Sequence, residues 1–218
     1  MICKNKIIKV NDINEEDVLI FNKKENLYEK ALFLDLEHYV YKHPICIGVF
    51  GVCFYSKIDN ALIFTQFMIE NEEEAHEIVH MAYNYLKHVK KDLGKKYLVT
   101  FSGNNDCIVI DYLFKEENIK LDIRKYFKHI DLQKVYEGHK GESIGLKKLE
   151  KIFEIQREGE PISGMNLAKT INKIIKKEDY FKNMPREKIQ RILLYNEQDV
   201  VNLFHIYTNW NKYIKREL

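Results

Sequence analysis

An alternation of strand-like and helix-like segments predicts an α/β layered domain. Three observations carry that prediction: β-rich apolar runs at 31–34, 45–55 and 61–69, a helical apolar repeat from Ala75 to Val89, and a strand–helix–strand order ahead of a helical C-terminal third. The 218 residues suit one sizeable domain over 1–218, and 45% hydrophobic with 31% charged residues suits a globular core. Only 3 Pro and 9 Gly exclude collagen-like and low-complexity classes. With 35 Lys+Arg against 33 Asp+Glu, a polyanionic partner would have to meet a local basic patch and not a global field. Cys3, Cys46, Cys53 and Cys107 have no C-x-x-C spacing, which fits a reducing compartment. No apolar stretch reaches the roughly 18 residues of a membrane span and no apolar leader opens the chain, so a cytoplasmic protein without a membrane partner is expected.

The elements follow in order. Ala31-Leu32-Phe33-Leu34 is short, apolar and followed by charge, as a buried central strand is. Residues 45–55 and 61–69 are strands joined by Ser-Lys-Ile-Asp59-Asn60, a turn sequence, and form a hairpin. Asn71 and the acidic run Glu72–Glu74 mark a helix start, Ala75, Ile78, Val79, Ala82, Leu86 and Val89 its buried face, and Gly94 its end. Residues 97–101 give a fourth strand, which a crossover helix should set parallel to the first. After the turn Ser102–Asn105, a helix runs from Asp106 to about Glu117, and Lys128–Asp131 is a short fifth strand. Helical patterns at 146–155, 166–178 and 186–209 are separated by Gly159, Pro161, Gly164 and Pro185.

Two acid motifs carry chemistry. Asp35 and Glu37 are two apart at the end of the first strand, so both carboxylates share a face and can share a cation. About one such pair arises by chance, but an acid pair at a buried strand end is hard to desolvate without compensation. The plain alternative is a solvated strand end. On the last helix, Tyr195 and Asp199 stack one turn apart, and Asp199 flanks the face marked by Ile189, Leu193, Val200, Leu203 and Tyr207.

The ordered set Leu-Asp35-Leu-Glu37, Phe101-Ser-Gly-Asn-Asn-Asp106 and Leu-Leu-Tyr195-Asn-Glu-Gln-Asp199 resembles the DEDD superfamily of DnaQ-like 3′-to-5′ exonucleases, in its Y-type subclass. His129-Ile-Asp131-Leu and Ser143-Ile-Gly-Leu-Lys-Lys-Leu-Glu150 are similar to the bacterial YprB-type exonucleases, and the resemblance spans about residues 31–208. It implies a ribonuclease H-like mixed five-stranded sheet, extra helices before the C-terminal catalytic helix, and release of nucleoside monophosphates from single-stranded DNA or RNA 3′ ends. Asp35, Glu37, Asp106 and Asp199 would ligate two ions, Asp35 bridging both, and Tyr195 would orient the attacking water. Four carboxylates without a soft ligand select Mg²⁺ or Mn²⁺. Ser102 stands where the family's second motif usually has Asn, and the turn is one residue shorter, so Asp111 is the alternative to Asp106. His38 and Tyr39 replace small polar residues after the first motif.

Other features have competing accounts. His76-Glu77-Ile78-Val79-His80 matches the H-E-x-x-H zinc-protease pattern, but Leu86 and Tyr83 stand where its longer form has His and Gly, and both histidines face away from the apolar stripe. Lysines and arginines crowd 169–191, as a phosphate track or as a solvated helix face. Tyr126, Phe127 and His129 suit core packing more than base stacking. The alternative function is a nucleic-acid- or partner-binding module on the same fold, its chemistry weakened by the altered second motif.

Overall fold

Alternation along the central strand sets the layers. In the computed structural model, which describes residues 1–23, 26–160 and 162–214, β2 (Ala31–Tyr41) sends Leu32, Leu34 and Leu36 into one apolar cluster and Ala31 and Phe33 into another. The other strands are β1 (Ile2–Lys9), β3 (His43–Ser56), β4 (Ala61–Met68), β5 (Tyr97–Thr100) and β6 (Lys128–Asp131). They form a six-stranded sheet of order β1-β4-β3-β2-β5-β6. The pairings are antiparallel from β1 across to β2, whereas β5 is parallel to both β2 and β6.

This is the mixed sheet flanked by helices that the sequence predicts, with the strands at 31 and 97 parallel. It has six strands and not five. The additional strand, β1, reads Ile-Cys-Lys-Asn-Lys-Ile-Ile-Lys, and as an edge strand it is mostly exposed and lacks an apolar run. The strand at 31 also continues to Tyr41, so Asp35 and Glu37 lie within it.

Helices α1 (Glu74–Lys91) and α2 (Asn104–Glu116) bury their apolar faces in the first cluster, while α3 (Ile123–Tyr126) closes the loop after α2. The Asn71 side chain accepts from the Glu74 amide at 3.0 Å, and Gly94 takes the left-handed φ of 67° that ends α1. α4 (Leu132–Lys140), α5 (Leu146–Ile152) and most of α7 (Arg186–Thr208) build the second cluster. Phe204 and Tyr207 of α7 meet Phe33 edge-on at 5.4 and 5.9 Å between ring centres. α6 (Gly164–Lys176) packs with the first cluster, and α8 (Trp210–Tyr213) follows α7. Pro161, expected as a helix break, lies outside the described residues. Among those described, no helix is long and apolar enough to cross a membrane.

The pairing of β2 with β5 ends at Phe33↔Val99. Beyond it β2 is bonded only to β3, so a crevice opens at the carboxyl ends of the parallel strands, where α/β sheets place ligands. A register shift between Glu37 and His38 marks the same place.

Candidate metal centre

Three carboxylates meet in that crevice. Asp35 and Glu37 project from one face of β2 and Asp199 reaches them from α7, so that one oxygen of each lies within 4.8 Å of the others. Tyr195, one turn before Asp199 on α7, stands beside them, its ring centre 5.0 Å from Lys147 Nζ.

Asp35 is fixed through a gap in the sheet. Asp35, Gly51 and Gln66 are opposite one another on β2, β3 and β4. Because Gly51 has no side chain, the buried Asn196 of α7 settles over it and bridges its two neighbours. Asn196 Nδ2 donates to Asp35 Oδ2 at 3.0 Å and to the Asp35 carbonyl at 3.1 Å, and its Oδ1 accepts from Gln66 Nε2 at 2.7 Å. A Cβ on Gly51 would stand 2.0 Å from Asn196 Oδ1.

Asp106, buried in the first turn of α2, faces the centre from the β5 side without joining the close trio. His38 Nε2 is 3.7 Å from Asp106 Oδ1. Asp111 points elsewhere: it accepts from the Ile123 amide at 2.7 Å and pairs with Arg124 at 3.6 Å, tying α3 to α2. In the preceding turn Ser102 adopts φ 53°, a left-handed conformation that suits Asn better than Ser. Gly103 is required there because a Cβ would fall 1.8 Å from Thr100 Oγ1.

The acids are hard to ionise together. Burial, then repulsion from Asp199, Glu37 and Asp106, holds Asp35 well above the carboxylate range. Burial followed by Asp199 and Asp106 does the same to Glu37. Asp106 rises to about 8 through burial and its neighbours Asp131 and Asp199. Asp199 rises only to about 6, since Arg157 opposes the effect of burial. Burial also raises the Tyr195 phenol, with Asp199 and Glu37 adding to it. This donor set fits a hard divalent ion: its atoms are all carboxylate oxygens, they converge, and their mutual repulsion calls for positive charge.

The remaining sequence candidates sit outside the crevice. His76 and His80 are exposed on α1 and pair with Glu117 at 2.5 and 3.2 Å. In the basic stretch, Lys188 donates to the Tyr180 hydroxyl, Lys182 pairs with Asp179 and Arg191 with Glu160. Phe127 is core, and His129 Nε2 contacts Thr100 Oγ1 at 2.7 Å.

Sequence reasoning missed Gln66, Asn196 and Arg157. The glycines inside the apolar run 45–55 are a sign of close approach to the strand, without naming what approaches. Arg157, in the connection between α5 and α6, has no local signal.

A family model described as the RNase H superfamily matches residues 32–211. No curated protein and no solved structure matches the chain.

Proposed function

The chain belongs to the RNase H superfamily, whose members are generally metal-dependent nucleases, and from that premise we propose that it is a 3′-to-5′ exonuclease of the DEDD Y-type acting on single-stranded DNA or RNA. The observation that carries this reading is the convergence of Asp35, Glu37 and Asp199 within 4.8 Å, with Tyr195 one helical turn from Asp199. Chain 1–218 would act as one catalytic unit, and its free cysteines support a cytoplasmic assignment.

Asp35, Glu37 and Asp199 would hold one Mg²⁺ or Mn²⁺, and Asp35 with Asp106 a second. When bound, such ions neutralise the carboxylates and make water nucleophilic at neutral pH. The chain's own residues prepare the site. Asn196 orients the Asp35 carboxylate, so little rearrangement is needed. Tyr195 keeps its proton at neutral pH, since its phenol is raised above the ordinary value. It therefore orients water by hydrogen bonding and does not act as a base. Lys147, beside its ring, is placed to meet a phosphate oxygen.

A second reading is a binding module on the same fold, favoured by the position of Asp106 outside the close trio. A time course on 5′-labelled single-stranded DNA and RNA with Mg²⁺, Mn²⁺ or EDTA separates the two. A ladder shortening by single nucleotides from the 3′ end, abolished by EDTA, supports the exonuclease. Binding without any shortening supports the module.

A further inference from the structure

Next to the acid trio lies a partly buried cation, Arg157, to which the metal-dependent chemistry assigns no task. The Arg157 guanidinium forks onto Glu150, with Nε to Oε2 at 2.7 Å and Nη2 to Oε1 at 2.5 Å, and Nη2 donates as well to Asp199 Oδ1. The guanidinium carbon is 5.2 Å from the centre of the Tyr195 ring. Glu150, only 2% exposed, also accepts from Asn202 Nδ2 at 2.8 Å, in the turn of α7 that follows Asp199. Tyr195 and Asp199 of α7 thus both meet one guanidinium, anchored from α5. Stability alone does not account for the arrangement, because desolvation largely offsets the attraction within a buried ion pair.

We propose that Arg157, held by Glu150, is a positioning residue for the metal centre. It engages one oxygen of Asp199, leaves the other free for the centre, and fixes the ring of Tyr195. This rests on the metal-dependent nuclease reading. Glu150 matters for sign as well as for geometry. Alone, the guanidinium would neutralise Asp199 and repel a divalent cation, whereas the Glu150–Arg157 pair is neutral and leaves Asp199 its charge.

The charge balance makes the test specific. Replacing both partners, Glu150→Gln with Arg157→Gln, leaves the net charge unchanged and removes the guanidinium from Asp199 without leaving Glu150 as an unpaired buried charge. This double variant should fold, by circular dichroism, yet bind Mn²⁺ about 10- to 100-fold more weakly in an electron paramagnetic resonance titration. Its kcat on a labelled oligonucleotide should fall by a similar factor, with KM changed by less than about 2-fold. Glu150→Gln alone should bind Mn²⁺ more weakly still, because the unpaired guanidinium then acts on Asp199. Arg157→Lys, which keeps the charge without the fork, should fall between the wild type and the double variant. A double variant equal to the wild type in Mn²⁺ affinity, or weaker than Glu150→Gln alone, overturns the proposal. If the affinity ranking holds while the wild type degrades neither DNA nor RNA, only the nuclease reading fails. If the wild type and Asp35→Asn alike bind no Mn²⁺, both fail.

Discussion

Asp35 depends on a single amide for its orientation, and Asn196 in turn depends on Gln66. Asn196→Ala leaves the Asp35 carboxylate without its amide donor and the Gln66 amide with the Leu193 carbonyl alone, which should cost about 1–3 kcal/mol of stability. Urea unfolding with and without Mn²⁺ measures this, and Mn²⁺ affinity should drop along with stability; an unchanged affinity would remove Asn196 from the site. The two candidate acids of the second motif should also separate. Asp106→Ala should cut hydrolysis by orders of magnitude with little loss of stability, because it removes a repelled, buried carboxyl. Asp111→Ala should lose about 1 kcal/mol, since it unties the Ile123 amide, while activity persists. Side-by-side nuclease and melting curves decide this, and the reverse pattern would make Asp111 the ligand. Acids with strand or helix spacing were legible from sequence because their chemistry is rare inside a fold. Asn196 and Arg157 were not, since amides and arginines are ordinary in any sequence and gain meaning only from what they touch.

At the scale of elements, the meeting of β3 and α7 depends on the missing side chain at Gly51. Gly51→Ala puts a methyl into the space of Asn196 Oδ1, and the Asn196 amide, held by Gln66 through Oδ1 and by Asp35 through Nδ2, cannot step aside, so about 1–3 kcal/mol of stability should be lost. Activity should fall further than the same loss produces at a distant core position, such as Val89→Ala on α1. Equal losses of activity at matched stability would show that α7 keeps its place without the gap. The long elements were legible because their patterns are extended: α1 repeats apolar residues at helical spacing over several turns, and β3 and β4 are β-rich apolar runs. α4 was not, because it is short and announced only by Asp131, whose side chain accepts from the Gln133 amide at 3.0 Å. β1 was not, because its partner β4, and not its own composition, makes it a strand.

For the whole molecule, the acid cluster sets how stability responds to pH. The site carboxyls have folded-state pKa values above the roughly 4 expected on unfolding, with Asp199 at about 6 and Asp106 at about 8. Between those limits the metal-free fold binds more protons than the unfolded chain, so stability is greatest below about pH 4–5 as far as these groups govern it and declines as pH rises toward 8. Melting temperature followed from pH 5 to 8 without metal should therefore fall as far as these groups govern it, and millimolar Mn²⁺ should lessen the fall. A metal-free profile no steeper from pH 5 to 8 than the one with Mn²⁺ would mean that the acids do not repel one another. The layered order was legible in the sequence because it follows from element types, whereas the crevice arises where β5 stops pairing with β2, a length no local pattern states. The edge strand β1 has a separate consequence for life in a crowded solution. Its open side offers unpaired backbone along a run bearing Lys4, Lys6 and Lys9. Another copy adding itself there would bring lysines toward lysines, so the edge that completes the sheet also discourages the sheet from growing into an aggregate.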